Sequence, residues 1–238
     1  MSRMRNRGAW EGLLALAVLL MAVYPVRADD WEIHITVDNQ YDVYFGDGMG
    51  TNTFAGGDTN WQTTETWTAN GQPANAFLYV STASDHAVAQ GFLAEFINTT
   101  QNAVITTGSG IWEVFPAGRY LQQIDPTWPA TWPPSVMPTQ AEVDAAIAYA
   151  TTNNLWTTPT TLPGYNNSAG PGPWGTRLGF SYDPSWIWFD SGNDPSPNAP
   201  FNGFNHDEFL IFRVPNIPEP ATAGGLLGLG LLALRRRR

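Results

Sequence analysis

The sequence predicts an all-β fold, an antiparallel β-sandwich with one short helix in a long insertion. Three observations carry this. Short apolar runs alternate at period two, clusters of Gly, Asn, Asp and Pro separate them, and a single stretch carries helix-opening chemistry.

Taken in order, the chain opens with Arg3, Arg5 and Arg7, an apolar run over residues 13–23, and Val26-Arg27-Ala28. A charged segment, a short apolar core and a small residue are the parts of a signal peptide, expected here over residues 1–28 with cleavage after Ala28. A retained anchor needs about 20 apolar residues, and here Pro25 and Arg27 intervene. Next, Trp31, Ile33, Ile35 and Val37 alternate with Glu32, His34, Thr36 and Asp38, which puts the apolar set on one face of a half-buried strand. Similar runs follow at residues 41–45, 77–81, 91–97, 103–107, 111–115, 186–189 and 208–214, so one sandwich domain is expected over residues 29–215. Thr139-Gln140-Ala141-Glu142 reads as a capping box opening an Ala-rich helix to about Thr152. Around that helix, residues 120–175 are dense in Pro, Trp, Thr and Asn and read as a long insertion that carries a binding surface or covers one end of the sandwich.

The tail runs Pro218-Glu219-Pro220, an apolar segment over residues 221–234, then Arg235, Arg236, Arg237 and Arg238. Four arginines resist translocation and are expected to stay cytoplasmic. Fourteen apolar residues are short for a bilayer core of about 30 Å, which suits a transient processing signal and a membrane-inserted precursor.

Charge narrows the partners. There is no lysine, and residues 29–220 hold Arg119, Arg177 and Arg213 against twenty acidic residues, a net charge of −17. Such a field repels phosphate backbones and excludes nucleic acid. Cysteine is absent, which removes disulfides, thiolate metal sites and thiol nucleophiles.

With its Pro-Glu-Pro signature, apolar helix and terminal arginine cluster, the segment over residues 216–238 resembles the PEP-CTERM sorting domain. The resemblance implies an exosortase as partner, cleavage near Pro218, Glu219 and Pro220, transient residence in the inner membrane, and a destination in the cell envelope, on the cell surface or in the extracellular matrix. In the body, residues 37–46, the Asp58-Thr59-Asn60-Trp61 loop, Gly91-Phe92-Leu93-Ala94-Glu95-Phe96, Trp112-Glu113-Val114 and Trp186-Ile187-Trp188 look like the galactose-binding-like jelly-roll modules attached to many glycoside hydrolases. Gly46-Asp47 stands where that family has Asn-Gly, and the Trp186 run comes later in the chain than its counterpart there.

Catalytic machinery is hard to assemble. The histidines are His34, His86 and His206, and no Gly-x-Ser-x-Gly elbow occurs. A carboxylate pair for glycoside hydrolysis is always available among twenty acids, so abundance gives it little weight. His206-Asp207-Glu208 and Asp85-His86 lack zinc spacing and read as solvated loops. No cofactor is expected beyond a structural calcium, whose candidate ligands are Asp38, Asp42, Asp47 and Asp58 in one turn-rich region. Eleven tryptophans are many for this length. Indole faces stack on the C–H faces of sugars, and Trp61, Trp128, Trp132, Trp156 and Trp174, in Pro-, Asn- and Thr-rich loops, are the ligand-binding candidates. Trp31, Trp112, Trp186 and Trp188 lie in strand-like runs and are expected in the core. The expected function is non-catalytic, an exported surface or matrix protein that binds polysaccharide. A secreted polysaccharide-degrading enzyme and a purely structural envelope protein are the alternatives.

Overall fold

A computed structural model describes residues 28–83, 90–127, 137–189 and 209–215. The leader before Ala28, His86, Trp128, Trp132, His206 and the tail over residues 216–238 lie outside them. The alternation that opens the body is realised as β1 (Ala28–Asp38), with Trp31, Ile33, Ile35 and Val37 all buried. After Asn39 the chain crosses to the opposing sheet. There β2 (Gln40–Asp47) and β3 (Gly50–Asp58) form a hairpin, and the chain returns as β4 (Glu65–Pro73) beside β1. The remaining strands are β5 (Phe77–Ala83), β6 (Gly91–Asn98), β7 (Ala103–Thr106), β8 (Glu113–Pro116), β9 (Thr160–Asn166), β10 (Ser185–Trp188) and β11 (Leu210–Val214).

Two antiparallel sheets result. One has the order β4-β1-β6-β10-β9, with β7 also paired to β6; the other has the order β3-β2-β5-β11-β8. Their inner faces meet in a core of Ile33, Ile35, Val43, Phe45, Leu78, Val80, Phe92, Phe96, Trp112, Trp188, Phe212 and their neighbours. Trp112 stands edge-on to Phe92 at 5.2 Å, and Phe92 lies 5.1 Å from Phe212. All four tryptophans expected in the core are there, each 2% exposed or less.

The insertion differs from expectation in two ways. Among the described residues it holds two α-helices, α1 (Gly118–Ile124) and α2 (Gln140–Thr152). Only α2 has the capping box, in which Thr139 N–H donates to Glu142 Oε2 at 2.7 Å and the Thr139 hydroxyl accepts from Glu142 N–H. The seven residues of α1 carry no side-chain cap and so leave no start signal in the sequence. Secondly, the helices cover a face of the sandwich, not an end. Leu121, Val143, Ala146, Ile147 and Ala150 pack on Tyr44, Tyr79, Phe115 and Ile211, which point outward from the β3-β2-β5-β11-β8 sheet and build a second core. That sheet is buried on both faces. The other sheet is covered on its outer face by the loops over residues 59–64 and 167–184, which form the candidate site. Among the described residues no helix is long and apolar enough to cross a membrane.

Candidate functional site

The polar half of the β1 alternation anchors the site. Glu32, His34, Thr36 and Asp38 point away from the core, yet His34, Thr36 and Asp38 are buried. The Thr36 hydroxyl donates to the Trp61 carbonyl at 2.8 Å. Trp174 Nε1–H donates to Asp38 Oδ2 at 2.8 Å. His34 lies between two carboxylates, with Nε2 2.7 Å from Glu32 and Nδ1 2.9 Å from Glu95.

Glu95, on the outer face of β6, is fully buried and accepts the backbone N–H groups of Ser181 and Tyr182, each at 2.8 Å. A loop has no hydrogen-bonded ladder of its own, so its buried amides need partners from the sheet. Nearby, Gly91 leaves room for two stacked indoles. Trp174 and Trp186 lie 4.1 Å apart at 13°, and a Cβ on residue 91 would come within 2.8 Å of both rings.

Two loops bound a cleft on this cover. On one side Asp58 Oδ1 accepts from Asn60 N–H and Asn60 Oδ1 accepts from Gln62 N–H, which coils residues 58–62 and presents Trp61. On the other, the Asn167 amide holds the Arg177 backbone through both its groups, at 2.7 and 2.8 Å. Gly179, at φ +93°, turns the chain beside Thr64. The Arg177 guanidinium bridges the sides: it lies 5.3 Å from the Trp61 ring centroid, and NH1 donates to the Gln62 carbonyl at 3.0 Å. Burial lowers the Arg177 pKa, and the Asp38 charge opposes that shift. The open cleft has a volume of about 520 Å³ and is lined by Gln62, Thr63, Thr64, Thr176, Arg177, Leu178 and Gly179, with Leu178 84% exposed. Amide, hydroxyl and guanidinium donors beside an indole suit a neutral polyhydroxyl ligand.

Of the tryptophan candidates among the described residues, Trp61 lies at the edge of this cleft, half-buried beneath Arg177 and next to Gln62, without lining it. Trp174 is fully buried against Trp186, so no face of its indole is open to a sugar. Trp156 closes the second core instead: Arg213 lies 3.9 Å over its ring, and its Nε1–H donates to Thr151 at 3.1 Å. Both indoles are claimed by packing, Trp174 against Trp186 and Trp156 against Tyr79 and Phe115. The four aspartates named as calcium candidates are used separately. Asp38 holds Trp174, Asp42 accepts from the Tyr44 hydroxyl at 3.3 Å, Asp47 accepts from Met49 N–H, and Asp58 caps its own turn. Among the described residues no three His, Asp or Glu side chains gather as metal ligands. Arg177 was not among the expected site residues; being one of three arginines in an acidic body is the signal that marks it.

A PEP-CTERM protein-sorting motif matches residues 216–238, the segment that contains Pro218, Glu219, Pro220 and Arg235 to Arg238. That motif marks an exported protein that is sorted by exosortase and associated with the cell envelope. No curated protein and no solved structure matches the chain.

Proposed function

We propose that this exosortase-sorted protein is a non-catalytic component of the cell surface or extracellular matrix that binds polysaccharide in the cleft beside Trp61 and Arg177. The observation that carries the reading is that cleft itself, lined by amide, hydroxyl and guanidinium donors on an exported sandwich, with Arg177 seated over the half-buried Trp61 at its edge. No carboxylate is among the described residues that line it, which favours binding over hydrolysis by a carboxylate pair. The likeness of residues 37–46 and 91–96 to galactose-binding-like modules adds support from the sequence side. In the proposed complex Arg177, Gln62 and the threonines donate to the sugar's hydroxyls and ring oxygen, while Trp61 supports the Arg177 guanidinium. Hydrogen bonds to a charged group contribute about 1.5–3 kcal/mol, so Arg177→Gln is expected to weaken retention on immobilised envelope polysaccharide by about ten- to a hundredfold. Trp61→Ala acts in the same direction. Release of reducing sugar would replace this reading with an enzyme, and wild-type protein that neither binds nor cleaves would leave a purely structural role.

A further inference from the structure

Both ends of the described body lie at one pole of the sandwich. Ala28, the first residue of β1, pairs with Pro73 at the end of β4. The turn that follows is closed by Ala76 N–H on the Pro73 carbonyl at 2.8 Å and leads into Phe77, which pairs with Gly46, and Leu78, which pairs with Val214, the last residue of β11. The same end of the two sheets is joined through the core by Trp31 and Phe45, 5.7 Å apart. The chain therefore enters and leaves beside the β4–β5 turn, with the β2–β3 turn next to it. The cleft lies toward the other end: Thr36 holds Trp61, and Asp38, which holds Trp174, pairs with Gly91 at the start of β6.

The leash between body and membrane segment is short. Six residues separate Val214 from Ala221, and the Cα-to-Cα span across them reaches at most about 25 Å when fully extended. The eleven residues of β1 alone are about 35 Å long. The domain cannot turn its far end to the bilayer on such a leash. We propose that in the membrane-inserted precursor the pole formed by the β2–β3 turn, the β4–β5 turn and the end of β11 faces the lipid surface, with the cleft of Arg177 pointing away from it. This inference rests on the sorting tail and on strand topology; it stands whether or not the cleft binds glycan. Asp30 and Asp47 are exposed at this pole, and like charge gives it no attraction to anionic headgroups. The tail, and not adhesion, sets the orientation.

A chain without cysteine allows single-site labelling. Met49→Cys and Asn75→Cys place a probe in the two turns at this pole, and Leu178→Cys places one in the cleft; all three positions are exposed. Each full-length variant is produced in a host that lacks the sorting protease, labelled with a fluorophore in right-side-out membranes, and quenched with lipids spin-labelled at the headgroup. Quenching at positions 49 and 75 is expected to exceed that at position 178 at least twofold. Insertion of twenty Gly/Ser residues between Pro215 and Asn216 is expected to abolish the difference. Equal quenching, no quenching anywhere, or stronger quenching at position 178 would overturn the orientation. A difference that survives the long linker would overturn the tether as its cause.

Discussion

The two sheets are both covered on their outer faces, but by different means. Over β3-β2-β5-β11-β8 the cover is helical: α2 satisfies its own backbone and offers Val143, Ala146, Ile147 and Ala150 as an apolar stripe. Over β4-β1-β6-β10-β9 the cover is loop. Its amides are paid for by polar side chains rising from the sheet, with Glu95 taking two of them and Asp38 taking the Trp174 indole N–H. A helix can cover a sheet with hydrocarbon alone, whereas a loop requires that the sheet beneath it be polar in the right places. The cleft of Arg177 lies on the loop cover, where side-chain and backbone donors face outward because regular structure does not consume them.

Breaking the covers one at a time tests this contrast. Trp174→Ala removes the largest buried side chain of the loop cover and the donor to Asp38, and is expected to cost about 3–5 kcal/mol, read as a lowered denaturant midpoint. Ile147→Ala on the helical cover leaves only a cavity and is expected to cost about 2–4 kcal/mol without loosening the loop. Next in size is Glu95→Gln. With one carbonyl oxygen in place of two carboxylate oxygens, it is expected to free an amide and to cost about 1–3 kcal/mol. Hydrogen exchange should quicken at Ser181 and Tyr182 while α2 stays protected; quickening of both covers together would show that they are one cooperative unit.

A pH dependence is expected under the helix-covered sheet. Burial pushes the Asp42 carboxyl up from its ordinary 3.8 to about 6, and the hydrogen bond from Tyr44 opposes this in part. A raised folded-state pKa gives stability that is full below about pH 4 and is lost as pH rises through about 6. Wild-type protein is therefore expected to lose melting temperature relative to Asp42→Asn between pH 4 and 7. A constant offset across that range would contradict it.

Much of the fold was legible. Eight of the eleven strands among the described residues follow from apolar runs because a strand that buries one face must alternate. The three that were missed, β3, β4 and β9, are edge strands. Edge strands bury less, so β3 and β4 are written in Gly, Thr and Asn, and β9 tolerates Pro163 and Gly164. In the site, Trp61 was legible as a loop tryptophan and Arg177 was not, since its role depends on the Asn167 side chain and a ring 116 positions away in sequence.

The sequence by itself determined the inward face of most strands, the cap of α2 and the sorting address, because period, capping chemistry and a linear motif act within a few residues. Tertiary structure alone decided the fate of the outward faces. His34, Thr36 and Asp38 alternate as solvent-facing residues do, yet they are buried because their partners Glu95, Trp61 and Trp174 come from 25 to 136 residues away. Hydrophobic periodicity records that a face is polar; it does not record whether water or another segment of the chain meets that face.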